Sequence, residues 1–457
     1  MRSRHALIRT LLILLTTAGS GGLASAATFH VPGDFPTIQQ ALDAVASGDT
    51  VLVHPQTWVG SLQFRGKDVT LQSTDGPQAT EIRGNGGTTI DIGPLGAVVG
   101  FSVTQGSAPF GAGMAVHGSG TRIQGNVFQD NFQGAGGFGA AIGGNGASPT
   151  IEANRFRRNH CDSQFLSGVV AFVNSSSPRI VNNVFEDNDC RGINMTLPAG
   201  NGPEVINNTL VRNPVGIRID RRVNTSAQIY RNNAIVGNQV GLQVEFGTEA
   251  DNPTWQNNLL FDNGVNYQGI ADQTGSAGNL AVDPRFADIA GGDYHLLAGS
   301  PAIDAGSSVG APATDFDGRT RPFDGDGDGN ALVDIGAFEF GRLIVISPPS
   351  GTYVTTQNFD LVFIIEDPRH VTKRRMFLDG VDITSALRAC LVRGLAPPSD
   401  LTLRCPGYSL STLPEGLHEL SLTLDYDDGS KEKSVARWNV RRSIESPTAP
   451  PQEGVRP

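Results

Sequence analysis

IVNNVFEDN, running from Ile180 to Asn188, is one of six copies of a single pattern. The others are IQGNVFQDN from Ile123, IEANRFRRN from Ile151, VINNTLVRN from Val205, YRNNAIVGN from Tyr230 and WQNNLLFDN from Trp255. Each reads apolar-x-x-Asn-x-apolar-x-x-Asn. The first Asn falls at Asn126, Asn154, Asn183, Asn208, Asn233 and Asn258, and the second at Asn131, Asn159, Asn188, Asn213, Asn238 and Asn263, so successive copies lie 28, 29, 25, 25 and 25 residues apart. A period in the twenties marks a solenoid. Leucine-rich repeats need several Leu per unit and helical repeats need apolar residues at 3.6 spacing; neither is present. Short strands joined by turns remain. In a parallel β-helix, equivalent residues of successive coils stack about 4.8 Å apart, and stacked Asn amides can donate to one neighbour while accepting from the other. The repeat therefore predicts an all-β fold, a parallel β-helix with Asn ladders at its turns.

A second apolar patch follows a glycine in each coil: Gly168 before VVAFV, Gly192 before INMT, Gly216 before IRID and Gly241 before LQVEF. Strand alternation directs Ile217, Ile219, Leu242 and Val244 to the core and predicts a solvent-facing polar strip of Arg218, Asp220, Gln243 and Glu245. Upstream, FPTIQQALDAVASGDTVLVHP carries an amphipathic helix within about 35–47, with Ile38, Ala41, Leu42 and Val45 on one face, followed by a strand. Such a helix would cap the open end of the solenoid, which otherwise exposes a sheet edge and its core.

The 457 residues exceed one ordinary domain, and 57 Gly with only 17% charged residues exclude a helical bundle. The net charge of −11 argues against a nucleic-acid partner. Residues 1–26 read as a signal peptide, with basic MRSRHALIR, apolar TLLILLTTAG and the small-residue site Ala24-Ser25-Ala26. No other stretch approaches the roughly 20 apolar residues of a membrane span. The β-helix is expected over 27–341, with a closing segment at about 283–341. From 342 to 442 the text changes to strand-like runs separated by Gly, Pro and Asp turns, including the DDGS hairpin signal, which predicts an immunoglobulin-like β-sandwich rather than further coils. Residues 443–457 have too few apolar side chains to pack and are expected to be a disordered tail.

The TIQQALDAVASGDTVLV segment, the Asn-Asn coils, and DPRFADIAGGDYHLLAGSPAIDAG with TDFDGRTRP and VDIGAFEF resemble the right-handed parallel β-helix repeat proteins secreted by bacteria, which share the pectate-lyase-like fold. The resemblance covers roughly Thr28 to Phe340. It implies a right-handed helix and an exported protein, and leaves lyases, hydrolases, epimerases and adhesins all open.

Four cysteines in an exported chain point to disulfides. Cys161 and Cys190 each follow the second repeat Asn by two residues and are one coil apart, so they are expected to pair; Cys390 and Cys405 would then pair in the sandwich, the alternative being buried free thiols. DGDGDGNALVD offers Asp324, Asp326, Asp328, Asn330 and Asp334 as oxygen ligands for a structural calcium ion joining solenoid to sandwich. It departs from the helix-loop-helix pattern because Ile335 occupies position twelve, and a solvated acidic turn is the alternative reading. His117 and His160 stand alone and read as surface or turn residues.

Asp220 and Glu245 with Arg218 make a carboxylate pair beside a guanidinium, a set that can bind a uronate and move a proton, or form a simple surface ion-pair cluster. RID at Arg218 matches the polygalacturonases only faintly: their paired aspartates and Gly-His-Gly have no counterpart, nor do the pectate-lyase and alginate-epimerase motifs. The expected function is therefore extracellular, cell-surface or periplasmic binding of an extended polysaccharide on the polar sheet face by a monomer. The alternatives are a polysaccharide lyase or glycoside hydrolase acting through Asp220, Glu245 and Arg218, and a non-catalytic structural or adhesive protein.

Overall fold

The computed structural model describes residues 26–340 apart from 163–166, 197–201, 221–226, 247–252, 298 and 326–329, and beyond them 343–347, 353–354, 358–366, 371–385, 391–394, 400–409, 416–426 and 431–440. Three parallel sheets of ten, nine and nine strands wind around one apolar core. A representative coil gives Arg179–Val181 to the first sheet, Val184–Glu186 to the second and Ile193–Thr196 to the third. Register follows the repeat: Ile151 pairs with Ile180, Ile180 with Val205, Val205 with Tyr230 and Tyr230 with Trp255. Like therefore lies on like. Inside the second sheet the rings of Phe128, Phe156 and Phe185 stack with centroids 5.3 and 4.6 Å apart.

Both Asn series form continuous ladders. From Asn126 through Asn154, Asn183, Asn208 and Asn233 to Asn258, each Nδ2 donates to the next Oδ1 at 2.9–3.0 Å. The series from Asn131 to Asn263 does the same at 2.9–3.1 Å. Each amide does more than hold its neighbour. Asn208 Oδ1 also accepts the backbone N–H of Asn183, and Asn208 Nδ2 also donates to the carbonyl of Ile180, so turn backbone groups buried between coils are satisfied. The residue before each ladder Asn lies in the left-handed region, as at Asn182 (φ 54°), Asp187 (φ 51°) and Asn207 (φ 55°), which short polar side chains tolerate best. The repeated glycines have a steric reason: a Cβ on Gly192 would sit 2.8 Å from the carbonyl oxygen of Gly216, and one on Gly216 2.7 Å from that of Gly241.

The N-terminal end is closed by the helix Ile38–Ala44, which buries Ile38, Ala41 and Leu42. Thr37 caps its start by accepting the N–H of Gln40, and Lys67 Nζ donates to the carbonyls of Leu42, Asp43 and Val45 at its end. Cys161 and Cys190 form the expected disulfide between adjacent coils, with Cα atoms 5.5 Å apart. Cys390 lies outside the described residues, so its pairing with Cys405 stays an expectation.

After the last coil the chain runs back along the solenoid. The outward side chains of the second sheet are polar in the early coils, with Thr57, Glu81, Arg83, Gln129 and Arg157, and become mostly apolar from Val184 onward, where Glu186 and Thr209 are polar and bond the closing segment. Tyr294, Leu296, Ile303, Ile335 and Phe338 of the closing segment cover Val184, Val211, Ala234, Val236 and Leu259 in a second apolar cluster. Docking uses the first Asn of each Asn-Asn pair. Asn182 donates to Thr314 O, Asn207 to Asp334 O and Gly336 O, Asn232 to Ser307 O and Asn257 to Ala305 O. Earlier coils, which the closing segment does not reach in this way, carry Gly125 or Ala153 at that position.

Beyond residue 340 the pairing changes character. Leu343–Ser347, Asn358–Glu366, Asp400–Ser409 and Leu391–Gly394 form an antiparallel sheet, and Lys431–Val440, Gly416–Tyr426 and Val371–Leu378 lie antiparallel within a second, in keeping with a β-sandwich.

Removing one ladder amide leaves the N–H of Asn183, the Nδ2 of Asn183 and the carbonyl of Ile180 each short of a buried partner. Asn208→Ala is expected to lower unfolding free energy by about 2–4 kcal/mol in urea titration. A loss below about 0.5 kcal/mol would show that the ladder is not a principal support.

Candidate functional site

The outward side of the third sheet brings the expected residues together, and it corrects their exposure. Arg218 donates to Glu245 Oε2 from Nη2 at 2.5 Å and from Nε at 3.2 Å, and its Nη2 lies 3.9 Å from Asp220 Oδ2. Arg218 Nη1 donates to Thr196 Oγ1 at 2.8 Å and Asn194 Oδ1 at 3.2 Å, partners set in line because Asn194 pairs with Arg218 across adjacent coils. The strip was expected to face solvent. Instead the Arg218 and Asp220 side chains are 1% and 0% exposed, while Glu245 is 31% exposed. At the neighbouring rung the turn between the second and third sheets closes on this face: Asn194 Nδ2 donates to Ser167 O, and a Cβ on Gly168 would sit 2.9 Å from that of Asn194.

Arg191, absent from the sequence-based expectation, completes the cluster. Its Nε and Nη1 are buried with no hydrogen-bond partner among the described residues. Burial and the adjacent Arg218 charge hold its guanidinium below the usual arginine range, with Glu245 opposing them. The row continues outward in Gln243 and Gln268, linked at 3.0 Å, where the sheet becomes exposed. His117 pairs with Asp91 and His160 with Asp189, all half-exposed, as surface histidines do.

In the proposed calcium loop, Asp326 and Asp328 lie outside the described residues. Asp334 is buried and its oxygens accept the N–H groups of Asp304 and Phe340, while Asp304 accepts those of Gly325 and Leu332. Asp334 thus already accepts two backbone N–H groups and Asp304 pins the loop ends, while the calcium reading of Asp324, Asp326, Asp328, Asn330 and Asp334 stays an expectation. No cluster of three or more His, Cys, Asp or Glu suited to a metal occurs among the described residues. The motif carboxylates act as staples: Asp315 accepts the N–H groups of Asp317, Arg319 and Glu339, and Glu339 accepts those of Phe323 and Asp334 and pairs with buried Arg321.

A cleft of about 360 Å³ lies on the exposed, polar half of the second sheet, walled by the turn Pro77–Thr80 and floored by Glu81, Ser102 and Gln129, with Arg157 at one side. Glu81 is fully engaged by Thr57, Arg83 and Thr104; burial works against its charge, but these donors hold it below the usual carboxylate range. Sequence reading missed this cleft, although the RFRRN coil, with three arginines, was its visible trace.

Residues 78–228 match the family model for a right-handed β-helix region. No curated protein matches the chain. Among solved structures, one described as a PL6 family alginate lyase, AlyGC, is similar at 13% identity with a TM-score of 0.21, over 60% of this chain and 56% of that one. This chain thus covers less than two thirds of that protein, and a likeness at this level carries no argument about chemistry.

His295 joins the closing segment by bridging Asp293 at 2.5 Å and Asp317 at 2.7 Å. Burial opposes its imidazolium, but the two carboxylates outweigh it and raise the group to about 9. A raised histidine stabilises the fold fully below its unfolded value, near 6.5, and loses that contribution as pH climbs through about 9. Glu339, pushed up to about 7 by burial, acts in the same direction: its contribution is complete below about 4.5 and fades through 7. Unfolding temperature is expected to fall between pH 6 and pH 9.5. His295→Gln should cost about 1 kcal/mol at pH 6 and almost nothing at pH 9.5; an equal loss at both values would refute the bridge.

Proposed function

We propose that the chain is an exported β-helix protein that binds an extended acidic polysaccharide on the outward side of its third sheet, with the C-terminal immunoglobulin-like region as a spacer or adhesive module. One observation carries the reading: the half-buried Arg191, whose Nε and Nη1 have no acceptor among the described residues, beside an Arg218 already held by Glu245, Asn194 and Thr196. Arg191 as a whole is only half-buried, so a ligand carboxylate can form a charge-assisted pair with the accessible edge of a guanidinium that no carboxylate among the described residues meets. Gln243 and Gln268 extend the hydrogen-bonding row by two rungs about 4.8 Å apart, which suits a polymer better than a compact ligand.

Binding is favoured over bond cleavage because Arg218 and Asp220 are sealed from solvent and Glu245 is held by Arg218. Arg218 and Asp220 are better read as positioning Glu245 than as groups that touch a substrate. Export is supported by the disulfide between coils.

The test is calorimetric titration of the full chain with oligouronates and with neutral oligosaccharides of equal length. The acidic chains should bind, and Arg191→Gln should weaken them about tenfold or more without shifting the unfolding temperature. Equal binding of neutral chains would overturn the reading, and shortened or unsaturated products would replace it with a hydrolase or lyase.

A further inference from the structure

The coil Arg155–Arg158 presents three arginines to the second sheet's outward side, and their partners differ. Arg155 lies 3.1 Å from Glu186 and donates to Gly292 O at 2.6 Å. Arg158 forms a two-bond pair with Asp130 at 3.0 and 2.9 Å. Arg157 is anchored only through Nε, which donates to Gln129 Oε1 at 2.8 Å, leaving its terminal nitrogens without a protein acceptor among the described residues. Arg157 lines the 360 Å³ cleft. Burial first, then the charges of Arg158 and Arg155, hold the Arg157 guanidinium below its usual range, with Glu186 and Asp130 opposing them.

The rest of the lining narrows the ligand. Glu81 is neutralised by Arg83, so the cleft's net sign is that of Arg157. Gln78 is exposed, and Gln78 and Ser102 line the cleft with side chains that make no hydrogen bond elsewhere in the described structure, so each can pair with a hydroxyl. The volume sits near the lower end of the range for small-molecule sites, which begins at about 300 Å³. The closing segment covers the same sheet beyond Arg155, and Tyr294 there is tied to Glu186, so the cleft is bounded at that end and does not run on as a track for a polymer.

We infer that this cleft is a second ligand site, separate from the third-sheet face, which takes one anionic sugar unit with Arg157 pairing its oxyanion and Gln78 and Ser102 holding ring hydroxyls. The shared chemistry is an oxyanion on a sugar ring, carboxylate or sulfate. The inference does not depend on polymer binding at Arg191.

Titration of the full chain with glucuronate, glucose 6-sulfate, glucose and inorganic sulfate tests it. At least one of the two anionic sugars is expected to bind, and the stronger identifies the oxyanion; glucose should not bind, and inorganic sulfate should bind at least about tenfold more weakly. Arg157→Gln should cut sugar affinity about tenfold or more, Arg157→Lys less, and Arg191→Gln not at all. Should Arg157→Gln fail to fold, Gln78→Ala, at an exposed position, serves instead and should lower affinity several-fold. No binding by either anionic sugar, unchanged affinity in Arg157→Gln, or inorganic sulfate matching the sugars would each overturn the assignment. Loss of sugar binding in Arg191→Gln would place the sugar on the third sheet and also overturn it.

Discussion

Stacked carboxamides at two turns are the constraint on which everything else depends. Most strands of the coils are only three or four residues long, too short to hold a register by themselves, and a slip by one residue would exchange inner and outer side chains. The two Asn of each coil prevent this, because an amide satisfied by its counterpart above and below has no equivalent partner one residue away. Fixed register then lets Phe lie on Phe and places Cys161 against Cys190. It also decides which coil meets which across the outer faces, where the arginine chemistry lies.

The Asn-Asn spelling carries two separate instructions. The second Asn of the pair faces inward and builds the ladder. The first occupies the left-handed turn position and, in four successive coils, turns its amide outward to hold the closing segment. The ladder was legible because it keeps a period; the docking role was not, because its partners lie roughly 50–130 residues away in irregular backbone. Yet a signal existed. Strand RFR alternates and VFQ ends on a polar residue, whereas AIV and LLF are apolar throughout, and a wholly apolar strand needs cover on both sides. The closing segment is that cover.

The acidic motifs of the closing segment illustrate a different limit. An Asp-rich turn serves equally well as a set of metal ligands or as a set of acceptors for backbone N–H groups, since both need carboxylate oxygens converging on a loop. Asp304, Asp315, Asp334 and Glu339 take backbone donors from several separate stretches, which lets about 55 residues with few strands hold one conformation over the solenoid. Composition could not separate the two roles, because the deciding donors are main-chain groups that carry no sequence identity.

For the functional faces, alternation correctly placed Arg218 and Asp220 outside the lumen but could not place them in solvent. Pointing away from a β-helix core guarantees exposure only where no turn crosses above, and Ser167 and Gly168 cross above Asn194. The useful criterion is therefore how each outward cation is partnered. Arg155, Arg158, Arg179, Arg212 and Arg218 all meet a carboxylate within 4 Å, as expected for a chain with excess acid. Among the described residues Arg157 and Arg191 do not, and they lie apart, Arg157 on the second sheet and Arg191 in the turn that leads into the third. Arg122 and Arg231 on the first sheet also lack a carboxylate but are held by Gln124 and by Gln256 with Val309 O, whereas Arg157 and Arg191 stand where burial raises the advantage of acquiring an anion.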